Sequence, residues 1–431
     1  MKLNLNIITL FVCCMAFPTT VFSYTDPEET AMAKADSIES QLLREGEVTI
    51  ENAKAGDYAG INLNANRISL NNDDWSRLLE LFANTGEETF TIVHIGDSHL
   101  QADIATGVVR KALQSAAGNA GRGLIIPFKL ASTNEPVDYR FTLSCKPEWA
   151  RLLKQPWSTP MAFTGIGIRP LQKHFTLTIE QLGELQQPFR FMRIYVTGSV
   201  DIAQIHANNT WIPFTCDKQL DDGYCDIFLD AEVPDVELVL DAPQLTTIHG
   251  VSLGTETPGV FYHTIGNNGA TYATYNNVQS FGQQISTLYP DLIIVSLGTN
   301  EAFGKLDAEE MYRQIDVLVN DLKLNNPEAK LLLTTPKESQ RRRKGKHKSA
   351  SYTVVDNCAS VADIIRSYAR ENHIPLYDWW EVAGGKGASQ HWVTNNLLSR
   401  DRVHNTVQGY ELFGKLFSQA LLDLLTRQGN K

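Results

Sequence analysis

The sequence predicts an α/β protein built on a parallel sheet, interrupted by an inserted β-sandwich. Two observations carry this. β-rich apolar runs alternate with segments of helical periodicity on either side of the middle of the chain, the pattern of a parallel sheet covered on both faces. Between about Gly121 and Thr257 the rhythm changes to short alternating runs (HFTLTIE, RFMRIYVTG, CDIFLD, VELVLD), each the length of a half-buried antiparallel strand. At 431 residues the chain has room for two to four domains with a sizeable core.

The elements follow in order. Lys2 precedes an apolar stretch from Leu5 to Phe17, and Val21 and Ser23 frame a cleavage site before Tyr24, so residues 1–23 read as a secretory signal peptide. The apolar stretch is too short to span a bilayer, which needs roughly 20 residues, and no transmembrane segment is expected in the mature chain. Cys13 and Cys14 lack a preceding small residue, so export to the periplasm or cell envelope is expected without a lipid anchor. Residues 24–84 form a lead-in with helical patterns near Glu28 to Arg44 and Asp73 to Phe82.

The α/β domain is expected to be discontinuous, over 85–120 and 258–431, with 121–257 inserted. Its first unit is the strand Thr89 to Ile95 and the helix Asp103 to Ala116. After the insertion come strand Val260 to Ile265, helix Val278 to Leu288, strand Asp291 to Leu297 and helix Ala308 to Leu324. Strand Lys330 to Thr335, helix Asp356 to Asn372, strand Ile374 to Trp379 and a helix from about Thr406 to Leu425 complete it. Active sites in such sheets lie beyond the carboxyl ends of the strands.

Composition narrows the function. With 43% hydrophobic and 20% charged residues the chain is a folded protein, and a net charge of −11 opposes a nucleic-acid partner. Beyond the signal peptide lie Cys145, Cys216, Cys225 and Cys358. Cys216 and Cys225 flank a turn-like KQLDDGY segment, leaving a bridge and a pair of thiols both open. No metal-ligand spacing occurs, and Gly298 to Lys305 has the wrong length and lacks the hydroxyl of a phosphate loop. The run RRRKGKHK at 341–348 reads as a solvated, mobile loop.

Four short segments carry chemistry. Gly96-Asp97-Ser98-His99 ends the first strand and places a serine hydroxyl where a nucleophile is useful, beside the amides of a helix start. Ile265 to Ala270 follows the next α/β strand, and Gly269 there lets the backbone approach a ligand. Gly298-Thr299-Asn300-Glu301 brings an amide side chain to the same rim. Asp401-Arg402-Val403-His404 allows one turn to join a carboxylate to an imidazole. Each alone is also a helix cap, a turn or a chance pattern; the four together, three of them at strand ends, are not. His99 beside the nucleophile is a further residue able to line the site.

These blocks resemble the SGNH (GDSL-type) hydrolases: GDSH at 96–99, the glycine of NNGA at Gly269, GTNE at 298–301 and DRVH at 401–404. GDSH in place of GDSL, together with IGNNGA, GTNEAF, GGKGASQHW at 384–392 and the β-rich insertion, is similar to the peptidoglycan O-acetylesterases. The resemblance implies a three-layer α/β/α hydrolase fold with a carbohydrate-binding-module-like insertion. It implies Ser98 as nucleophile, His404 as base, Asp401 as its orienting carboxylate, and Ser98, Gly269 and Asn300 as oxyanion donors, with no metal or organic cofactor. The expected substrate is an acetylated glycan, peptidoglycan first. An O-acetyltransferase, a xylan or other polysaccharide acetylesterase, and a non-catalytic glycan-binding protein are the competing readings. Within the insertion, Trp149, Trp157, Trp211 and Tyr224 are the aromatic residues able to face sugar.

Overall fold

A computed structural model describes residues 60–183, 186–219, 221, 223–242, 246–343 and 351–426. The expected signal peptide and the helical pattern at Glu28 to Arg44 lie outside the described residues. The central sheet has six strands: β1 (Ile68–Ser69), β2 (Phe90–Gly96), β3 (Val260–Gly266), β4 (Leu292–Ser296), β5 (Lys330–Thr334) and β6 (Leu376–Tyr377). Their spatial order is β1-β6-β5-β4-β2-β3, parallel throughout except for the edge strand β1.

Every residue of β2 is buried, and alternate residues feed two separate cores. Val93 and Ile95, with Ile293, Val295, Leu331 and Leu333, pack under α4 (Tyr272–Asn276), α5 (Phe281–Ser286), α7 (Ala308–Asn325) and α8 (Asn357–Glu371). Ile92, Ile294 and Leu332 face the other way, against α1 (Ser76–Ala83), α3 (Ile104–Ala117) and α11 (Val407–Leu425). This is a three-layer α/β/α domain, and it explains why the strands read as continuous apolar runs. Short helices α2 (Ser98–Gln101), α6 (Thr299–Phe303), α9 (Trp379–Val382) and α10 (Ala388–Thr394) cluster on the loops around the sheet.

The antiparallel part runs from Gly123 to Gly254. A five-stranded and a seven-stranded sheet enclose their own core, including Phe141, Leu177, Ile194, Ile227 and Leu238. Its seven-stranded sheet also turns a face to the α/β layers. Leu124, Ile126, Ile166, Ile168, Tyr195 and Tyr224 belong to the same buried cluster as Val93, Phe281 and Ile285. The two parts therefore share apolar core, and a buried ion cluster joins them. Asp103 accepts from Arg110 at 2.7 Å and from Arg122 at 2.6 Å, and Arg122 also pairs with Asp138.

Several expected elements differ from the reading of the sequence. The helix expected at Val278 to Leu288 is shorter, α5 (Phe281–Ser286), because Ser280 just before it takes a left-handed φ of 55°. The strand at Ile374 to Trp379 shortens to Leu376–Tyr377, since Asp378 caps α9 by accepting from Glu381 N. At the start of the basic run, Gln340–Arg342 is a strand paired with Tyr352–Val354 rather than loop; 344–350 lies outside the described residues. Among the described residues no helix is long and apolar enough to cross a membrane.

Candidate active site

The nucleophile segment is shaped by its backbone. A side chain on Gly96 would lie 2.5 Å from Leu100 Cδ1 and 2.8 Å from Ser296 O, so only glycine fits where β2 turns into α2. Asp97 accepts from His99 N at 2.9 Å and caps that turn, which leaves Ser98 as its first helical residue. Register places Gly96 opposite both Gly266 and Ser296, so the loops after β2, β3 and β4 emerge at one rim.

At that rim the structure joins Ser98, His404 and Asp401. Ser98 Oγ lies 2.8 Å from His404 Nε2, and His404 Nδ1 lies 2.6 Å from Asp401 Oδ2. The other Asp401 oxygen accepts from Ser399 Oγ at 2.6 Å, Val403 N at 2.9 Å and His404 N at 3.0 Å. Burial works to raise the Asp401 carboxyl, but His404 and these donors outweigh it and hold the group well below the usual carboxylate range. Asp401 is thus an anion that fixes one imidazole nitrogen as a donor and leaves the other facing the serine as an acceptor.

Gly269 and Asn300 come to the same rim. Gly269 has a left-handed φ of 77°. Asn300 Nδ2 donates to Ala270 O at 2.9 Å, tying the two loops together, and lies 3.5 Å from Asp97 Oδ2. His99 is packed beside the site, its ring centroid 5.3 Å from that of His404 and its Nδ1 3.1 Å from the Tyr410 hydroxyl. Burial, then the neighbouring His404 and Lys337, lowers its affinity for a proton well below that of a free histidine.

Three supporting groups escape a reading of the sequence. Gln101 Oε1 accepts from Asn268 N at 2.7 Å, holding the residue before Gly269. Its Nε2 donates to Thr133 Oγ1 at 3.0 Å and Asn134 Oδ1 at 2.7 Å, both from the insertion. Its only signal is a polar residue three positions after Ser98, one turn along the same helix face. Lys337 is buried and donates to Val403 O at 3.0 Å, bracing the turn between Asp401 and His404; burial brings it down to about 8. Glu338 accepts from Ser389 N at 3.0 Å and Ser389 Oγ at 2.6 Å, anchoring the 384–392 segment. Both follow the end of β5 in TTPKES, a strand-end polar cluster without motif.

His94, His249 and His263 are core residues, pushed by burial to about 3, 4 and 3. Among the described residues no cluster of His, Cys, Asp or Glu has metal-binding geometry. Of the aromatic residues expected to face sugar, Trp149 and Trp157 are half-buried against the core, Tyr224 is 5% exposed and Trp211 is 56% exposed.

A parallel three-layer sheet with a serine at the first strand–helix corner, and an Asp-x-x-His turn before the last helix, is the SGNH (GDSL-type) hydrolase fold. Here it carries an additional β-sandwich. Residues 250–412 match the GDSL-like lipase/acylhydrolase family; the match begins in the last strand of the insertion and so leaves out Ser98. A structure described as "Peptidoglycan O-acetylesterase in action" is similar over 84% of this chain and 98% of its own, with a TM-score of 0.67 and 20% identity. A lipase/acylhydrolase from Enterococcus faecalis (TM-score 0.29, 16% identity) covers 39% of this chain and 80% of its own. A carbohydrate esterase family 3 protein from Talaromyces cellulolyticus (TM-score 0.29, 16% identity) covers 39% and 73%. Among curated proteins none matches the chain in sequence.

Proposed function

We propose that the protein is an exported serine esterase that removes O-acetyl groups from a glycan, peptidoglycan first, through an acyl-serine intermediate. The observation that carries the reading is the unbroken chain from Ser98 Oγ through His404 to Asp401, at 2.8 and 2.6 Å. Ser98 Oγ attacks the acetyl carbonyl as its proton passes to His404 Nε2, while Asp401 stabilises the imidazolium. The oxyanion is received by the Ser98 and Gly269 amides and the Asn300 side chain, donors fixed before the substrate arrives. The sugar alkoxide leaves with the proton from His404. Water then gives up a proton to the same nitrogen, attacks the acetyl-serine and releases acetate. The glycan assignment is supported by similarity that extends through the insertion to almost all of a peptidoglycan O-acetylesterase structure.

The test is acetate release from O-acetylated peptidoglycan and from an aryl acetate. Ser98→Ala and His404→Ala are each expected to lower both rates at least about a thousandfold while the fold persists, because the members act as one unit. Near wild-type turnover in either folded variant would overturn the triad. Acetylation of an added acceptor glycan in place of acetate release would make the protein a transferase.

A further inference from the structure

A cavity of about 430 Å³ lies on the flank of the molecule where the sandwich meets α5, and no residue of the triad lines it. Its walls come from both parts: Tyr195, Tyr224 and His249 from the sandwich, Gln283, Gln284 and Tyr289 from α5 and the turn beyond it. The volume falls in the range of about 300 to 1,000 Å³ usual for small-molecule sites.

The walls are fixed in advance. Gln284 Oε1 accepts from Phe163 N at 2.9 Å and its Nε2 donates to Gln279 O at 2.8 Å. His249 donates from Nδ1 to Ile166 O at 2.9 Å and accepts at Nε2 from Thr197 Oγ1 at 2.8 Å; burial pushes it to about 4, so it is neutral. Arg193 packs 3.9 Å from the Tyr224 ring centroid and 5.2 Å from that of Tyr289, and the two tyrosine hydroxyls meet at 3.2 Å. Arg193 Nε and Nη2 donate to Asp226 at 2.6 Å and its Nη1 to Thr287 O, so its charge is spent within the wall.

Tyr289 stands apart. Its backbone is left-handed, φ 53°, which is an outlier for a bulky residue, yet its side chain is 64% exposed. Folding alone gains little from a tyrosine there, since glycine adopts that backbone without penalty. Strain that holds an aromatic ring out at the mouth of a preformed polar cavity marks a binding surface. The lining chemistry selects the ligand. Neutral amides, hydroxyls and tyrosine rings suit an uncharged sugar, whose ring faces are apolar and whose edges carry hydroxyls. Among the described residues a phosphate or nucleotide would find no free cation in this wall, where Asp221 is the one formally charged lining residue.

Tyr289 lies just before the start of β4, at the opposite end of the strands from Ser98, and one wall of the cavity runs back to the catalytic rim. The segment that supplies Ala162 and Phe163 to its wall continues to Thr164, whose carbonyl accepts from Asn267 Nδ2 at 3.1 Å, in the loop that carries Gly269. We propose that this cavity is a saccharide subsite, in which a ring of an amino-sugar glycan stacks on Tyr289 while an acetylated residue further along the same strand lies at Ser98. The proposal rests on the glycan reading above and assigns it a place to hold polymer at the junction of the two domains, built in part by the hydrolase domain itself.

Tyr289→Gly tests it, because glycine keeps the backbone and removes only the ring. In the full chain carrying Ser98→Ala, binding of soluble β-1,4-linked oligomers of N-acetylglucosamine is expected to be saturable, and weakened at least about tenfold by Tyr289→Gly. In the active enzyme, Tyr289→Gly is expected to lower acetate release from O-acetylated peptidoglycan at least about fivefold and leave aryl acetate hydrolysis within twofold. No oligomer binding, or binding and polymer turnover equal with and without the ring, overturns the subsite. Oligomer binding that depends on Tyr289, in a wild-type protein that releases no acetate from peptidoglycan, would sustain the subsite and overturn the esterase assignment instead.

Discussion

Glu301, one residue beyond Asn300, shows how the site is charged. Its Oε1 accepts from Tyr272 N at 2.9 Å, while its Oε2 is enclosed without a protein hydrogen-bond partner. Burial, and then the neighbouring Asp97, pushes the group up to about 7. A folded-state value above the unfolded one means stability that is present below about pH 4.5 and lost as pH rises through 7. Glu301→Gln keeps the bond to Tyr272 and removes the titration. It is expected to melt above the wild type at pH 8.5 by the equivalent of about 1 to 2 kcal/mol, and with the wild type at pH 4. A gap of the same size at both pH values would assign the gain to something other than this carboxyl. Gln101 belongs to the same scale. Removing its carbonyl leaves a buried Asn268 N–H without that partner, a loss of about 1 to 3 kcal/mol at the loop that presents Gly269. Gln101→Ala is therefore expected to lower kcat for aryl acetate about tenfold or more and KM little; a change confined to KM would place Gln101 in substrate binding.

At the scale of elements, the parallel strands of the central sheet were legible because burial on both faces makes apolar runs, as in DLIIVSL around β4, while the two-residue antiparallel edge strand β1 is too short to leave a pattern. The serine corner and the Asp-x-x-His turn were legible for a related reason, since a strand end and a helix start fix where their side chains emerge. What could not be read depends on distant partners. Gln101 gains its role from Thr133, Asn134 and Asn268, and Lys337 from Val403; no local pattern records either. The late start of α5 was missed because Val278, Phe281 and Ile285 keep helical spacing across Ser280, a residue whose φ is reversed. The cysteine pair lies between these cases. Cys216 and Cys225 sit diagonally on the paired strands Phe214–Gln219 and Tyr224–Val233, with their sulfurs 2.7 Å apart as thiols. Under an oxidant the protein without residues 1–23 is expected to go from four titratable thiols to two, and gain about 2 to 3 kcal/mol over its reduced form. Four thiols persisting after oxidation would count against that bridge.

For the molecule as a whole, the insertion reads in sequence as a lobe added to a self-sufficient hydrolase, and a separable lobe would leave small-ester hydrolysis intact when removed. The packing argues otherwise. Leu124, Ile126, Ile166 and Tyr195 are part of the core that covers Val93, Ile95, Phe281 and Ile285, so excising them would bare the layer that supports the loop after β3. Excision would also strip Arg122 from the buried carboxylate of Asp103, and breaking such a pair costs about 3 to 5 kcal/mol. Gln101 would lose Thr133 and Asn134, the partners that orient it toward Asn268. Replacing residues 121–257 by a short Gly and Ser linker is therefore expected to abolish aryl acetate hydrolysis as well as release from polymer, with the truncated chain melting well below the full protein or failing to fold. By contrast Asn134→Ala, which leaves the core in place, is expected to fold and to lose aryl acetate turnover with its KM little changed. Full small-ester activity in the excised chain would show that the α/β layers stand without the sandwich and that the insertion acts on polymer alone.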